Sequence, residues 1–103
     1  MTLQAVVTGG ARGIGLAIAE RLRKANYHVS VLDLASGKDI IRCDVSDSDA
    51  VGTIAADLGP VDVLVNNAAI WKFGPLEETS LEDFSKVLDV NLKGAFNTMK
   101  HFG

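Results

Sequence analysis

The chain opens with Leu3 to Thr8 (LQAVVT), an unbroken apolar run that stops at glycines, as a strand buried on both faces should. From Gly13 the period changes: Ile14, Ala17, Ile18, Leu22 and Ala25 recur at helical spacing, and Asn26 supplies a stop. His28 to Leu34 (HVSVLDL) returns to β-branched alternation. After a tight turn at Ser36 and Gly37, Asp39 to Asp44 (DIIRCD) forms another short strand. Ser46 with Asp49 reads as a helix cap, and Val51, Ile54, Ala55 and Leu58 share one face of a helix that ends at Gly59-Pro60. Val61 to Ala69 (VDVLVNNAA) is a further buried strand running into a polar pair. Beyond the loop from Ile70 to Thr79, Ser80 with Asp83 caps a long helix. Its apolar stripe is Leu81, Phe84, Leu88, Leu92, Ala95, Met99 and Phe102.

The order strand, helix, strand, strand, helix, strand, helix predicts an α/β fold with a parallel sheet and covering helices. The expected strand order is 3-2-1-4, one side and the centre of a doubly wound, Rossmann-type sheet, incomplete because the strands beyond the fourth are missing. Residues 1–103 then form the N-terminal half of a single domain whose C-terminal part is absent.

With 48% hydrophobic and 22% charged residues, the composition is that of a folded soluble domain. The net charge of −3 is spread without any basic cluster, which argues against a nucleic-acid partner. Cys43 stands alone, His28 and His101 are isolated, and no Cys/His grouping has metal-ligand spacing, so no metal is expected. No apolar stretch has the length of a signal or membrane-spanning segment, so the expectation is a cytoplasmic protein with no membrane partner.

Thr8 to Gly15 (TGGARGIG) joins the first strand to the first helix. Its glycines divide three tasks: a tight turn at Gly9, close backbone approach to a ligand at Gly13, and close helix packing at Gly15. The helix N-terminus behind them offers unpaired N–H groups and a partial positive charge to a pyrophosphate. No Gly-Lys-Ser/Thr follows, which excludes a Walker-type loop.

These residues, with Cys43-Asp44-Val45 (CDV), Asn66 to Ala69 (NNAA) and Val90 to Phe96 (VNLKGAF), resemble the N-terminal part of the classical short-chain dehydrogenases/reductases. The four matches fall in order and span essentially the whole chain. The resemblance implies that Gly9, Arg12, Gly13, Ile14 and Gly15 line the pyrophosphate and adenosine ribose of a dinucleotide. It implies that Asp44 and Val45 contact adenine, that Asn67, Ala68 and Ala69 lie along the riboses, and that Val90 backs the cofactor. Ala69 departs from the glycine most frequent in the family, and its methyl narrows the approach to the ribose.

Asp33 lies eighteen positions after Gly15, close to the interval for the acidic residue that binds the ribose hydroxyls. A carboxylate there faces the extra phosphate of NADP, and two unit charges about 4 Å apart interact by roughly 4 kcal/mol at an effective dielectric near 20. Arg12 favours the phosphate, but an exposed pair is worth only about 0 to 1 kcal/mol, and Leu34 offers no help. The expectation is NAD over NADP, unless Asp33 is an ordinary solvated strand-end carboxylate.

Asn91 falls between Leu88 and Ala95, on or beside the apolar stripe, where a buried amide needs partners and an exposed one needs none. In the family the matching Asn perturbs the helix and holds a water in the proton relay, which makes Asn91 the candidate catalytic residue. The family's serine and Tyr-x-x-x-Lys pair are not among residues 1–103, and Tyr27, the only tyrosine, has Val31 four positions on. Trp71, Lys72 and Phe73 follow the last strand and form either part of a substrate wall, loop packing or a subunit contact. The leading expectation is an oxidoreductase moving hydride between nicotinamide and a small secondary alcohol or ketone, assembled as a dimer or tetramer. The competing one is a short protein that binds a dinucleotide without catalysis or assembles through its sheet edge.

Overall fold

The computed structural model describes residues 2–71 and 74–103, so Lys72 and Phe73, expected with Trp71 to form a substrate wall, loop packing or a subunit contact, lie outside the described residues. The strands are β1 (Gln4–Thr8), β2 (His28–Asp33), β3 (Ile40–Arg42) and β4 (Val63–Val65). The helices are α1 (Gly13–Lys24), α2 (Ser48–Leu58), α3 (Leu81–Leu88) and α4 (Gly94–Phe102), the last two joined by a π-helical turn (Asp89–Lys93). The sheet order is β3-β2-β1-β4 and each pairing is parallel, with Val7 of β1 opposite Val31 of β2 and Val65 of β4.

The unbroken apolar run of β1 is explained by burial on both sides. Ala5 and Val7 pack with Val29 and Val31 of β2 and Ala19 of α1, whereas Val6 joins Leu32, Cys43 and Val51 of α2 on the other face, with Phe102 of α4 against them. Helices therefore cover both faces, the doubly wound arrangement. All strands run the same way, so the loops leaving β1, β2, β3 and β4 gather at one end of the sheet.

Three local expectations shift. Ile14 and Ala17 are exposed, and α1 turns Gly15 and Ala19 inward with Ile18 and Leu22 beside them. The cap of α2 is Asp47, whose carboxylate accepts from the Ala50 N–H at 3.1 Å, while Ser46 folds back onto Asp44. Ser80 does cap α3 through the Asp83 N–H. The helix beyond it is not uniform, however: at Asp89–Lys93 one turn takes an extra residue.

The stripe expected to cover the sheet behaves differently from its pattern. Phe102 reaches the core, but Leu81, Phe84, Leu92, Phe96 and Met99 are exposed, and the buried residues of α4 are Gly94, Asn97 and Thr98. α4 packs against α2, and hydrogen bonds from its inward side chains replace the apolar contact the stripe would have made.

Candidate functional site

A cleft of about 680 Å³ opens at the carboxyl ends of the strands, inside the range of about 300–1,000 Å³ usual for small-molecule sites. Of the expected cofactor residues, Gly9, Arg12, Gly13, Ile14, Asp33, Asp44, Val45, Asn67, Ala68, Ala69 and Val90 all line it. Gly15 does not, being buried directly beneath the loop. A smaller hollow of about 470 Å³, lined by Tyr27, His28 and Ile40 among others, lies at the opposite, amino end of the strands and shares none of these residues. Tyr27 is thus remote from the cleft.

The glycine loop is shaped by close approach. Gly9 takes φ +66°, donates its N–H to the Leu32 carbonyl at 2.7 Å, and has no room for a side chain: a methyl there would sit 2.9 Å from the Ala68 Cα. A methyl on Gly15 would run into the Gly9 carbonyl and lie 2.5 Å from the Asn67 amide nitrogen. Gly13 differs, with φ +60° and nothing within 4 Å of where its side chain would be, because it faces the cleft. Arg12 is extended at the N-cap position and its side chain makes no capping hydrogen bond, and the first turn of α1 holds no acidic residue. The helix start thus leaves backbone donors and its positive dipole end to whatever anion enters the cleft.

Thr8 ties this loop to the next. Its hydroxyl accepts from the Asn67 and Ala68 N–H groups, both at 3.0 Å, while the Asn67 side chain donates to the Gly9 carbonyl at 3.0 Å. On the other side, the Asp33 carboxylate accepts from the Ala11 N–H at 3.1 Å and the Ala35 N–H at 2.9 Å. The Asp44 Oδ1 accepts from both the N–H and the hydroxyl of Ser46. Next to it the Cys43 thiol pKa is pushed up, first by burial and then by the charges of Asp44 and Asp47. Because the thiolate is the nucleophile, Cys43 is expected to resist iodoacetamide at neutral pH and to react fully once the chain is unfolded in guanidinium. Alkylation at the same rate in both states would contradict this placement.

Asn91 sits in the π-helical turn and is exposed, yet both ends of its amide are engaged. The Oδ1 accepts from the Ile70 N–H and the Nδ2 donates to the Ile70 carbonyl, each at 2.8 Å. It does not line the cleft itself but fixes Ile70, which does. Trp71 lies at the outer margin of the cleft and is 70% exposed. The sequence reading missed Thr8, Asn97 and Thr98 as residues that shape the cleft. A polar pair on the inward face of α4 was the one available sign, hidden by the more obvious apolar stripe.

Among the described residues no group of three or more His, Cys, Asp or Glu is placed to hold a metal ion, and no helix is long and apolar enough to cross a membrane.

Residues 4–102 match the family model described as short chain dehydrogenase. The 3-oxoacyl-acyl-carrier-protein reductase MabA of Mycobacterium bovis is 46% identical over 99 residues, covering 88% of this chain and 40% of that protein. The acetoacetyl-CoA reductase of Rhizobium meliloti is 38% identical over 112 residues, covering 94% of this chain and 46% of that protein. Among solved structures, ligand-free aldohexose dehydrogenase of Thermoplasma acidophilum superimposes with a TM-score of 0.92 at 35% identity, over 98% of this chain and 43% of that one. The chain thus spans less than half the length of the relatives it matches.

These relatives correct one expectation. The 3-oxoacyl and acetoacetyl-CoA reductases are NADPH-dependent, which overturns the preference for NAD over NADP drawn from Asp33. The structure offers a physical reason why that carboxylate is a poor guide. Both its oxygens are engaged by backbone N–H groups of neighbouring loops, which offsets part of the charge, and Arg12 lines the same cleft.

Proposed function

The chain belongs to the short chain dehydrogenase family of NAD(P)-dependent oxidoreductases, and from that premise we propose that its cleft binds NADPH for hydride transfer between nicotinamide and the carbonyl of a small ketone. One observation carries the binding half of this reading: the open, uncapped start of α1 at Gly13 faces the same cleft as the loops after β2, β3 and β4. In this reading the N–H groups of Gly13 and Ile14 hold the pyrophosphate, with Gly9 allowing the approach and Gly15 seating the helix behind it. Asp44 and Val45 flank adenine, Asn67, Ala68 and Ala69 follow the riboses, and Val90 closes the floor. Arg12 meets the 2′-phosphate. A bound nicotinamide would supply the hydride, and Asn91 is the catalytic candidate that fixes Ile70 in the cleft wall.

The substrate reading draws on the names of the relatives, which reduce 3-oxoacyl and acetoacetyl thioesters, and on Trp71 as an apolar wall at the cleft mouth. Self-association into a dimer or tetramer is supported by the exposed Leu92, Phe96 and Met99. NADPH fluorescence is the direct test: binding is expected to raise and blue-shift the emission, and an unchanged spectrum at millimolar protein and cofactor would reject the site. Asp33→Asn is expected to tighten NADPH binding by up to about fivefold, since partly exposed charges interact by about 1 kcal/mol or less. Weaker binding in that variant would show that the bonds to Ala11 and Ala35 matter more than the charge.

A further inference from the structure

We propose that Asn97 is a positioning residue for the adenine end of the cleft, acting through the backbone of Val45. This rests on the dinucleotide reading and deepens it. Asn97 is 7% exposed, and its Nδ2 donates to the Val45 carbonyl at 2.9 Å across 52 positions of sequence. An amide buried in a helix face otherwise lined by packing contacts requires such a partner. The same segment is gripped a second time: a methyl on Gly94, one turn earlier, would come within 2.6 Å of the Val45 Cγ2. The Val45 carbonyl is thus held by a donor and its side chain is seated over a glycine, both from α4.

The segment so held carries the adenine contacts. Val45 is buried and lines the cleft, and Asp44 directs its Oδ1 to Ser46. The other Asp44 oxygen is the acceptor we assign to the adenine amino group, and its position follows from where Val45 is fixed. Thr98, beside Asn97, donates to the Asn66 side chain at the end of β4. One helical turn therefore spaces the adenine loop from the ribose loop. Asn97 touches no cofactor atom in this arrangement, so its effect is on the selectivity of the base site.

The test compares NADPH with its hypoxanthine analogue, in which the adenine amino group is replaced by a carbonyl oxygen, by measuring both dissociation constants on the same protein. The ratio is insensitive to the fraction of protein folded, which cancels. The unaltered chain is expected to prefer NADPH by about threefold to tenfold, the range one hydrogen bond to the base commands. Asn97→Ala is expected to bring the ratio close to one. Gly94→Ala, which displaces the Val45 side chain without removing a donor, is expected to lower it too. An unchanged ratio in both variants overturns the proposal, as does an unaltered chain that binds the two dinucleotides equally. Failure of the unaltered chain to bind either one rejects the dinucleotide reading instead.

Discussion

Thr8→Val is expected to destabilise the protein by about 2 kcal/mol although the side chains are nearly the same size, because each orphaned, partly buried N–H costs roughly 1 kcal/mol or more. The two orphans are the backbone donors of Asn67 and Ala68, which have the Thr8 hydroxyl as their acceptor. Thr8 itself is fully buried, so water cannot enter to replace the oxygen. For a domain of this size the loss corresponds to a fall in Tm of roughly 10 °C. Thr8→Ser keeps the hydroxyl and should melt much closer to the parent. Equal melting of the valine and parent proteins would mean that the loop after β4 is held by something other than this hydroxyl. The valine variant should also bind NADPH more weakly, because Asn67 and Ala68 line the cleft.

The second large effect separates two glycines that look alike in sequence. Gly9 and Gly13 both have positive φ, at +66° and +60°, so an alanine at either carries a left-handed penalty of about 1 to 2 kcal/mol. Only at Gly9 does the new methyl also meet backbone, 2.9 Å from the Ala68 Cα, and overpacking of that kind adds about 1 to 3 kcal/mol. Gly9→Ala is therefore expected to lower the denaturant midpoint about 1.5 to 4 times as far as Gly13→Ala. For nucleotide affinity at a concentration where both stay folded, Gly13→Ala is expected to lose more, since its methyl projects into the open cleft. Equal midpoints for the two variants would contradict the close contact between the β1 and β4 loops.

The architecture was legible because its signals are local. β1 and β2 read as buried strands since helices cover both faces, and the glycine loop announced the helix start that follows it. The sheet order followed from the alternation of elements. What stayed hidden depends on contacts distant in sequence. Nothing near Asn97 reveals that its partner is Val45, and nothing near Asn91 reveals Ile70. The spacing of Asp33 from Gly15 suggests a carboxylate for the ribose hydroxyls and does not reveal its bond to Ala11, 22 residues away, which makes it a brace between loops. The apolar stripe from Leu81 to Phe102 was a true regularity of the sequence, but it predicted burial where the structure leaves most of it exposed.

The π-helical turn works as a phase shifter between α3 and α4. In an uninterrupted α-helix each residue advances the direction by about 100°, so a single added or removed residue swings everything downstream by that angle. Removing one residue between Asp89 and Lys93 would restore a constant pitch and rotate α4 relative to α3 by about that amount. Asn97 and Thr98 would then swing away from Val45 and Asn66, and the clamp between the two loops of the cleft would open. The irregular turn is in this sense a length tolerance of zero. An insertion or deletion within the segment is incompatible with the clamp, whichever residues it carries.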